Sequence, residues 1–443
     1  MAKEHNEFRD PIHGFIVLTS DERKVVNSRA FQRLRHIHQL ALTWLVYPAA
    51  THKRFEHCLG VMDLAGRVFD VLTDPENRRC TGRLENIFPS SDPTDAKHRY
   101  WRSVVRMAGL CHDLGHIPFS HGAEELLPKE THHENLSVEV IRSPQMRELW
   151  NAMTPPLNAE HIAKIAVGVK KWNGEPFTEW EELMTEIVTG DSFGVDRIDY
   201  LLRDSLHAGV AYGRFDHQRV IDTLRILWDD EQKKAVIGIE IGGLHAAEGL
   251  QLARYFMFEQ LYFHRIRRAL DLHLKKYLRA FLPDGKYPTT VDGHLRLTDD
   301  HVLAAMQDDV AEPASPRHAI ASRTLRRRFF RVLYERRAED LQKNFDAVGL
   351  VYRAVCERFG QDYVDRDTNI DLEKPESSEP EPFRFAVERQ DGTVVSSIHE
   401  SQILSKLPKA VFDYVFVAPE VLEEARAWLQ DHREEILTVK EPS

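Results

Sequence analysis

The stretch Gly109-Leu110-Cys111-His112-Asp113-Leu114-Gly115-His116-Ile117-Pro118-Phe119-Ser120-His121 constrains this chain more than any other. It follows Val104, Val105 and Ala108, which with Cys111 lie at helical spacing, and it closes on histidines and a carboxylate. Gly115 and Pro118 end the helix directly after His112-Asp113, because proline lacks an N–H and pushes the preceding residue out of the helical region. Imidazole beside carboxylate at a helix end is a ligand pair for a divalent metal such as Mn, Fe, Mg or Zn. His116 and His121 suit acid–base work near neutral pH.

A metal needs more ligands than this pair supplies. His57 shares a helical stripe with Val61, Leu64, Val68 and Val71, so it faces the core; taken alone it reads as a satisfied core histidine. In Gly194 to Asp204, Val195, Ile198, Leu201 and Leu202 share one face, while Asp196, Asp199, Tyr200, Arg203 and Asp204 share the other. Alone that is a charged surface face with i,i+4 ion pairs, entered through Asp191 or Ser192 as cap. Together His57, His112, Asp113 and Asp196 make an ordered H…HD…D quartet on separate helices, and such a set would hold a metal that activates water. Arg54, His116 and His121 would then neutralise phosphate oxygens, Glu124 would orient an imidazole, and one of His132 and His133 would either support the set or cap a helix at the surface.

The chain has 443 residues, long enough for a large core with additions. A net charge of −11 argues against a chain coated in nucleic acid. The cysteines form no CxxC pair, and no apolar run is long enough to span a bilayer, so a reducing, cytoplasmic setting is expected. Apolar spacing predicts a mainly α protein. Its parts are an all-α core over 1–280, with a turn and short hairpin arm near Asp10 and a surface insertion at 74–98, and a helical region over 281–365. A linker or loop follows at 366–382, then a small α+β appendage over 383–443 with strands at Phe383–Val387 and Tyr414–Val417 and a helix at Pro419–His432.

Five ordered motifs carry a resemblance. Asp10-Pro-Ile-His-Gly14, Phe31 to Leu40, Arg54-Phe-Glu-His57, Leu110 to His121 and Val195 to Tyr200 resemble the HD-domain deoxynucleoside triphosphate triphosphohydrolase (dNTPase/dGTPase) family, on the branch that includes the human sterile-alpha-motif and HD-domain dNTPase. The resemblance implies an HD helical core and a metal on His57, His112, Asp113 and Asp196. It implies α-phosphate contact from Arg54, and catalysis by His121 with Glu124 and His133, His116 lying close to the phosphates. Gln39 and Asp204 would meet the sugar 3′-OH, and Tyr200 and Leu40 would exclude a 2′-OH. Arg197 stands where the family carries a phosphate-binding lysine. Tyr262 and His264 interrupt an apolar stripe and are expected to line the pocket. More faintly, Arg323 to Arg331 resembles a stretch that binds an activating nucleotide between subunits, which would use Arg327, Arg328 and Arg331 and require a homo-oligomer, a tetramer or hexamer.

The reading that follows is metal-dependent cleavage of dNTPs to deoxynucleoside and triphosphate, with a role in dNTP pool control. Two alternatives remain open on the residues: an HD phosphodiesterase or nuclease acting on single-stranded nucleic acid, to which the basic and aromatic run at 323–331 is suited, and a non-catalytic nucleotide sensor.

Overall fold

The computed structural model describes residues 6–77, 92–369 and 384–438. Most of the 74–98 insertion and of the 366–382 linker expected from the sequence therefore lies outside the described residues.

The chain enters through an antiparallel hairpin, β1 (Glu7–Asp10) and β2 (Gly14–Val17), in the register Glu7↔Val17 to Asp10↔Gly14. The helical core follows. Helix α1 (Arg54–Thr73) starts where the Glu56 carboxylate accepts from the Lys53 N–H at 2.8 Å. Helix α2 (Ala96–Cys111) is capped by Asp95 and ends at His112, as Gly115 and Pro118 predict. Around these pack α3 (His133–Arg142), α4 (Ala159–Val167), α5 (Glu179–Thr189) and α6 (Val195–Ala208). Helix α6 begins at Gly194, without a side-chain cap from Asp191 or Ser192, and stops at Gly209, whose φ of 72° is the left-handed geometry of a helix end.

The expected all-α core over 1–280 contains a second hairpin, β3 (Leu224–Asp229) and β4 (Lys234–Glu240). Its strands are largely buried, so their apolar residues run on rather than alternate, and the helical reading of this stretch fails for that reason. Helix α7 (Leu244–Met257) runs into a π-turn at Phe258–Tyr262, and α8 (Arg265–Phe281) continues. Beyond lie α9 (Asp299–Ala311), α10 (His318–Leu325), β5 (Arg331–Glu335), α11 (Ala347–Phe359) and β6 (Val364–Thr368).

The final part is α+β as expected, yet it does not stand apart. Strands β7 (Ala386–Glu388) and β8 (Val394–Ser396) extend the β3-β4 hairpin, β7 running parallel to β4 with Ile239↔Val387. Strand β9 (Asp413–Val417) lies between β5 and β6, antiparallel to both, and α12 (Leu422–Thr438) covers that sheet together with α11. The region 383–443 thus divides between two sheets, and β5 and β6 fall inside stretches expected to be helix and linker. Among the described residues, no helix is long and apolar enough to cross a membrane.

Candidate active site

Helices α1, α2 and α6 bring the expected metal ligands together. His57 Nε2 lies 3.1 Å from Asp196 Oδ1, and His112 Nε2 lies 3.5 Å from the same oxygen. These side chains form a group able to share one ion. Asp113 borders it, Oδ1 lying 3.3 Å from His112 Nε2 and Oδ2 3.8 Å from His57 Nε2, and it also pairs with Arg54 and with His116 Nε2 at 3.1 Å. His112 Nδ1–H donates to the Gly109 carbonyl at 2.8 Å. That bond leaves Nε2 as the free donor atom of the ring, and it is buried without a hydrogen-bond partner. An orphaned imidazole nitrogen facing carboxylates is what a cation site requires, so these residues fit a divalent metal.

Electrostatics point the same way. Burial lowers the basicity of His57, but Asp196 and Asp199 outweigh it and push its pKa up to about 10. Burial raises the Asp113 carboxyl, yet Arg54, His112 and His116 hold it well below the usual carboxylate range. The field that draws a proton to His57 would equally favour a divalent cation, which displaces that proton. His116 behaves differently. Burial, Arg54 and His133 push its pKa well below the ordinary value.

The shell behind His57 escaped the sequence reading. Its Nδ1 faces Asp199 Oδ2 at 2.8 Å, and Asp199 Oδ1 accepts from His13 Nε2 at 2.6 Å. Arg203 grips both Asp199 oxygens, at 2.8 and 2.9 Å, and reaches Asp10 Oδ2 at 2.8 Å. The Asp10-Pro-Ile-His-Gly hairpin is thereby clamped to the metal histidine. Gly60 permits this: a Cβ there would stand 2.0 Å from Asp199 Oδ1. The hints in the sequence were the Asp10-Pro-Ile-His-Gly14 motif and the i,i+4 spacing of Asp199 and Arg203.

His133 comes close because Gly115 has no side chain; a Cβ would stand 2.0 Å from the His133 carbonyl. Its ring stacks on His116, centroids 3.9 Å apart, and its Nδ1 lies 2.7 Å from Glu124 Oε1. The side chain of His121 lies outside the described residues. The loop carrying these groups holds Phe119 and Ser120 at φ of 58° and 48°, and buried Asp299 fixes it by accepting from the Phe119 N–H at 2.9 Å and the His38 N–H at 2.8 Å.

A cavity of about 1170 Å³ opens on this centre. Arg54, His112, Asp113, His116, His133 and Asp196 line it, and so do Gln39, Leu40, Tyr200, Asp204 and Tyr262. His264 does not: it caps α8 and packs edge-on against Tyr47. Arg197 Nη1 donates to the Gly190 carbonyl at 2.9 Å, which leaves its Nε buried without a hydrogen bond. Arg254 also holds a buried, unbonded Nη1; burial and then the Arg197 charge lower its pKa, so these cations are neighbours.

In the basic run the arginines and the aromatics separate. Arg326, Arg327 and Arg328 are exposed in the turn after α10, and Arg331 opens β5, its guanidinium 4.2 Å from the Phe329 ring. Phe329 and Phe330 are buried, so they offer no stacking platform to a single-stranded nucleic acid.

Residues 54–201 match the HD domain, and residues 215–443 match the HD associated region, which alone spans more than half of the chain. The chain belongs to the HD-domain phosphohydrolase family. HD domains bind divalent metals, and the His57, His112 and Asp196 group can hold one. This HD-domain chain is similar over 96% of its length to a solved hypothetical protein from Aquifex aeolicus, 99% of which is covered, with a TM-score of 0.75 and 30% identity. It is 32% identical to the uncharacterized protein MJ1154 of Methanocaldococcus jannaschii over 60% of this chain and 48% of that one. It is 31% identical to the deoxynucleoside triphosphate triphosphohydrolase SAMHD1 of Gallus gallus over 60% of this chain and 44% of that one. The chain thus spans about half the length of these two relatives.

Proposed function

We propose that the protein hydrolyses deoxynucleoside triphosphates to deoxynucleoside and inorganic triphosphate. The observation that carries this reading is that one cavity is lined both by the His/Asp centre and by Gln39, Leu40, Tyr200, Asp204 and Tyr262. Tyr200 and Tyr262 meet edge to face with centroids 6.1 Å apart, and Leu40 is buried beside the cavity. An apolar wall there would leave a 2′-hydroxyl buried and unpaired, which disfavours ribonucleotides. The relatives named as deoxynucleoside triphosphate triphosphohydrolases support the same substrate class.

In this reading water attacks the α-phosphorus, the bond to the 5′-oxygen breaks, and that oxygen takes up a proton. A divalent metal at the His/Asp centre would polarise a phosphoryl oxygen and lower the pKa of water. Arg54, held by Asp113 and by Ser120 Oγ at 3.1 Å, faces the cavity as a fixed cation for the α-phosphate. Arg197, whose Nη1 is held by the Gly190 carbonyl and which is not among the residues lining the cavity, is assigned the outer phosphates from its place in the motif alone. His116 holds Asp113 through Nε2 at 3.1 Å and lines the cavity, where it is assigned a place close to the phosphates. His121 is assigned the proton donor, with the Glu124–His133 pair supporting it.

The test is product analysis with Mn²⁺ and each dNTP, dNTP mixtures, ATP and a single-stranded oligonucleotide, with Asp113→Ala as control. Deoxynucleoside plus triphosphate, absent in the variant, is the expected outcome. Turnover only in mixtures would place an activating nucleotide in the scheme, and Arg327, Arg328 and Arg331 would be its first candidates. Cleavage of the oligonucleotide alone would replace this reading with a nuclease.

A further inference from the structure

Asp204 lies on α6, buried apart from its edge on the cavity, and both of its oxygens are already held from the protein side. The Tyr262 hydroxyl donates to Oδ2 at 2.7 Å, and His52 Nε2 lies 2.7 Å from Oδ1. An acceptor-only carboxylate fixes the direction of the second bond: Nε2 carries the hydrogen and donates. His52 itself is buried, its ring stacked face to face on His207 with centroids 4.4 Å apart and planes 14° from parallel. Its Nδ1 makes no hydrogen bond. The imidazole therefore spends its one strong polar contact on Asp204.

The backbone places it there. The Gln39 N–H donates to the His52 carbonyl and the Arg54 N–H to the Ile37 carbonyl, each at 3.0 Å, so residues 37–39 and 52–54 run side by side. Gln39, which lines the same cavity, carries a buried Oε1 with no hydrogen-bond partner. One end of the cavity thus presents an unpaired amide oxygen and a carboxylate pinned at both oxygens. Each carboxylate oxygen accepts along two directions. With one direction on each oxygen taken, those that remain point to fixed places. Without His52 the carboxylate could rotate about its Cβ–Cγ bond, and its acceptor directions would blur.

We propose that His52 is a positioning residue for recognition of a sugar hydroxyl: it touches no substrate, but it fixes the Asp204 carboxylate so that a 3′-hydroxyl can donate to it. This inference rests on the deoxynucleotide reading above. It sets His52 apart from the arginines, which act on phosphate charge and read nothing of the sugar.

The experiment compares kcat and KM of the metal-loaded wild type, His52→Ala and His52→Gln on the best dNTP and on its 2′,3′-dideoxy analogue, which lacks the hydroxyl. His52→Ala is expected to raise KM for the dNTP about tenfold, with kcat within about threefold, and to leave the dideoxy analogue unaffected, a loss on the scale of one hydrogen bond to a charged group. His52→Gln keeps a donor at similar reach and is expected to recover most of the preference; it also decides the matter if the alanine variant does not fold. Equal losses on both nucleotides, or none, overturn the proposal while the substrate reading stands. A wild type that hydrolyses neither nucleotide overturns the substrate reading, and the role of His52 falls with it.

Discussion

Asp199 Oδ2 lies 2.8 Å from Nδ1 of His57, and both side chains are almost wholly shielded from solvent. The carboxylate does not belong to the metal group itself. It fixes which imidazole nitrogen of His57 faces Asp196 and balances the buried charge of Arg203. Asp199→Asn is therefore expected to weaken divalent metal binding about 10- to 100-fold, the usual cost of losing such an outer partner. Metal titration followed by calorimetry reads the effect directly. An affinity within twofold of wild type would show that Asp199 serves the fold alone.

Gly60 lies where α1 crosses this network, and an added Cβ would meet Asp199 Oδ1 at 2.0 Å and Arg203 Nη2 at 2.6 Å. Neither partner can give way, since Arg203 is fully buried and bound on two sides. Gly60→Ala should cost about 3–5 kcal/mol, the scale for breaking a buried ion pair. Urea unfolding of the metal-free protein measures it. A loss below about 1 kcal/mol would mean that the network relaxes, contrary to this account.

Arg54 joins the metal region to the cavity wall through Asp113 and Ser120. Lysine keeps the charge but not the fork that serves both partners. If Arg54 offsets charge developing on the α-phosphate, Arg54→Lys lowers kcat about 10²-fold with a smaller change in KM. Steady-state kinetics at saturating Mn²⁺ separate the two constants. An unchanged kcat would remove Arg54 from the chemical step.

Two buried histidines outside the metal group set a pH dependence of folding. Burial, with Lys276 and Arg323, pushes His273 down to about 3, and burial with Arg33 pushes His294 down to about 3. His273 Nε2 accepts from the Phe330 N–H at 2.9 Å, so it must be unprotonated there, and His294 Nε2 donates to the Leu114 carbonyl at 2.9 Å. Below pH 6.5 the unfolded chain takes up protons that the folded chain refuses. The stability they confer is therefore complete above 6.5 and drains away as pH falls toward 3. At pH 5 each would cost about 2 kcal/mol. Unfolding midpoints at pH 7.5 and 5, for wild type and for His273→Gln with His294→Gln, check this. The double variant should lose much of the slope, and an identical slope would rule these residues out.

Local chemistry made much of the centre legible. His112 and Asp113 stand at a helix end that Gly115 and Pro118 dictate, and His57 interrupts an apolar stripe that must face the core. Spacing along one helix shows such facts because neighbours three and four residues apart share a face. The HD core and the metal group were therefore readable from residues in order. What pairs with what across the fold was not. His57 and Asp199 are 142 residues apart, His52 and Asp204 152, and His13 and Asp199 186. No local period encodes those distances.

The same division holds for the chain as a whole. Its sequence by itself determined the helical class, the ligand types and the short strands near the end, since periodicity and turn residues act over a few positions. Only the tertiary structure decided that β9 would sit between β5 and β6, that β7 would join β4, that Phe329 and Phe330 would be buried, and that His264 would cap a helix rather than face the cavity. The physical reason is that burial is a property of the assembled core. A strand or an aromatic side chain finds its partner by the apolar surface that the rest of the fold leaves to be covered.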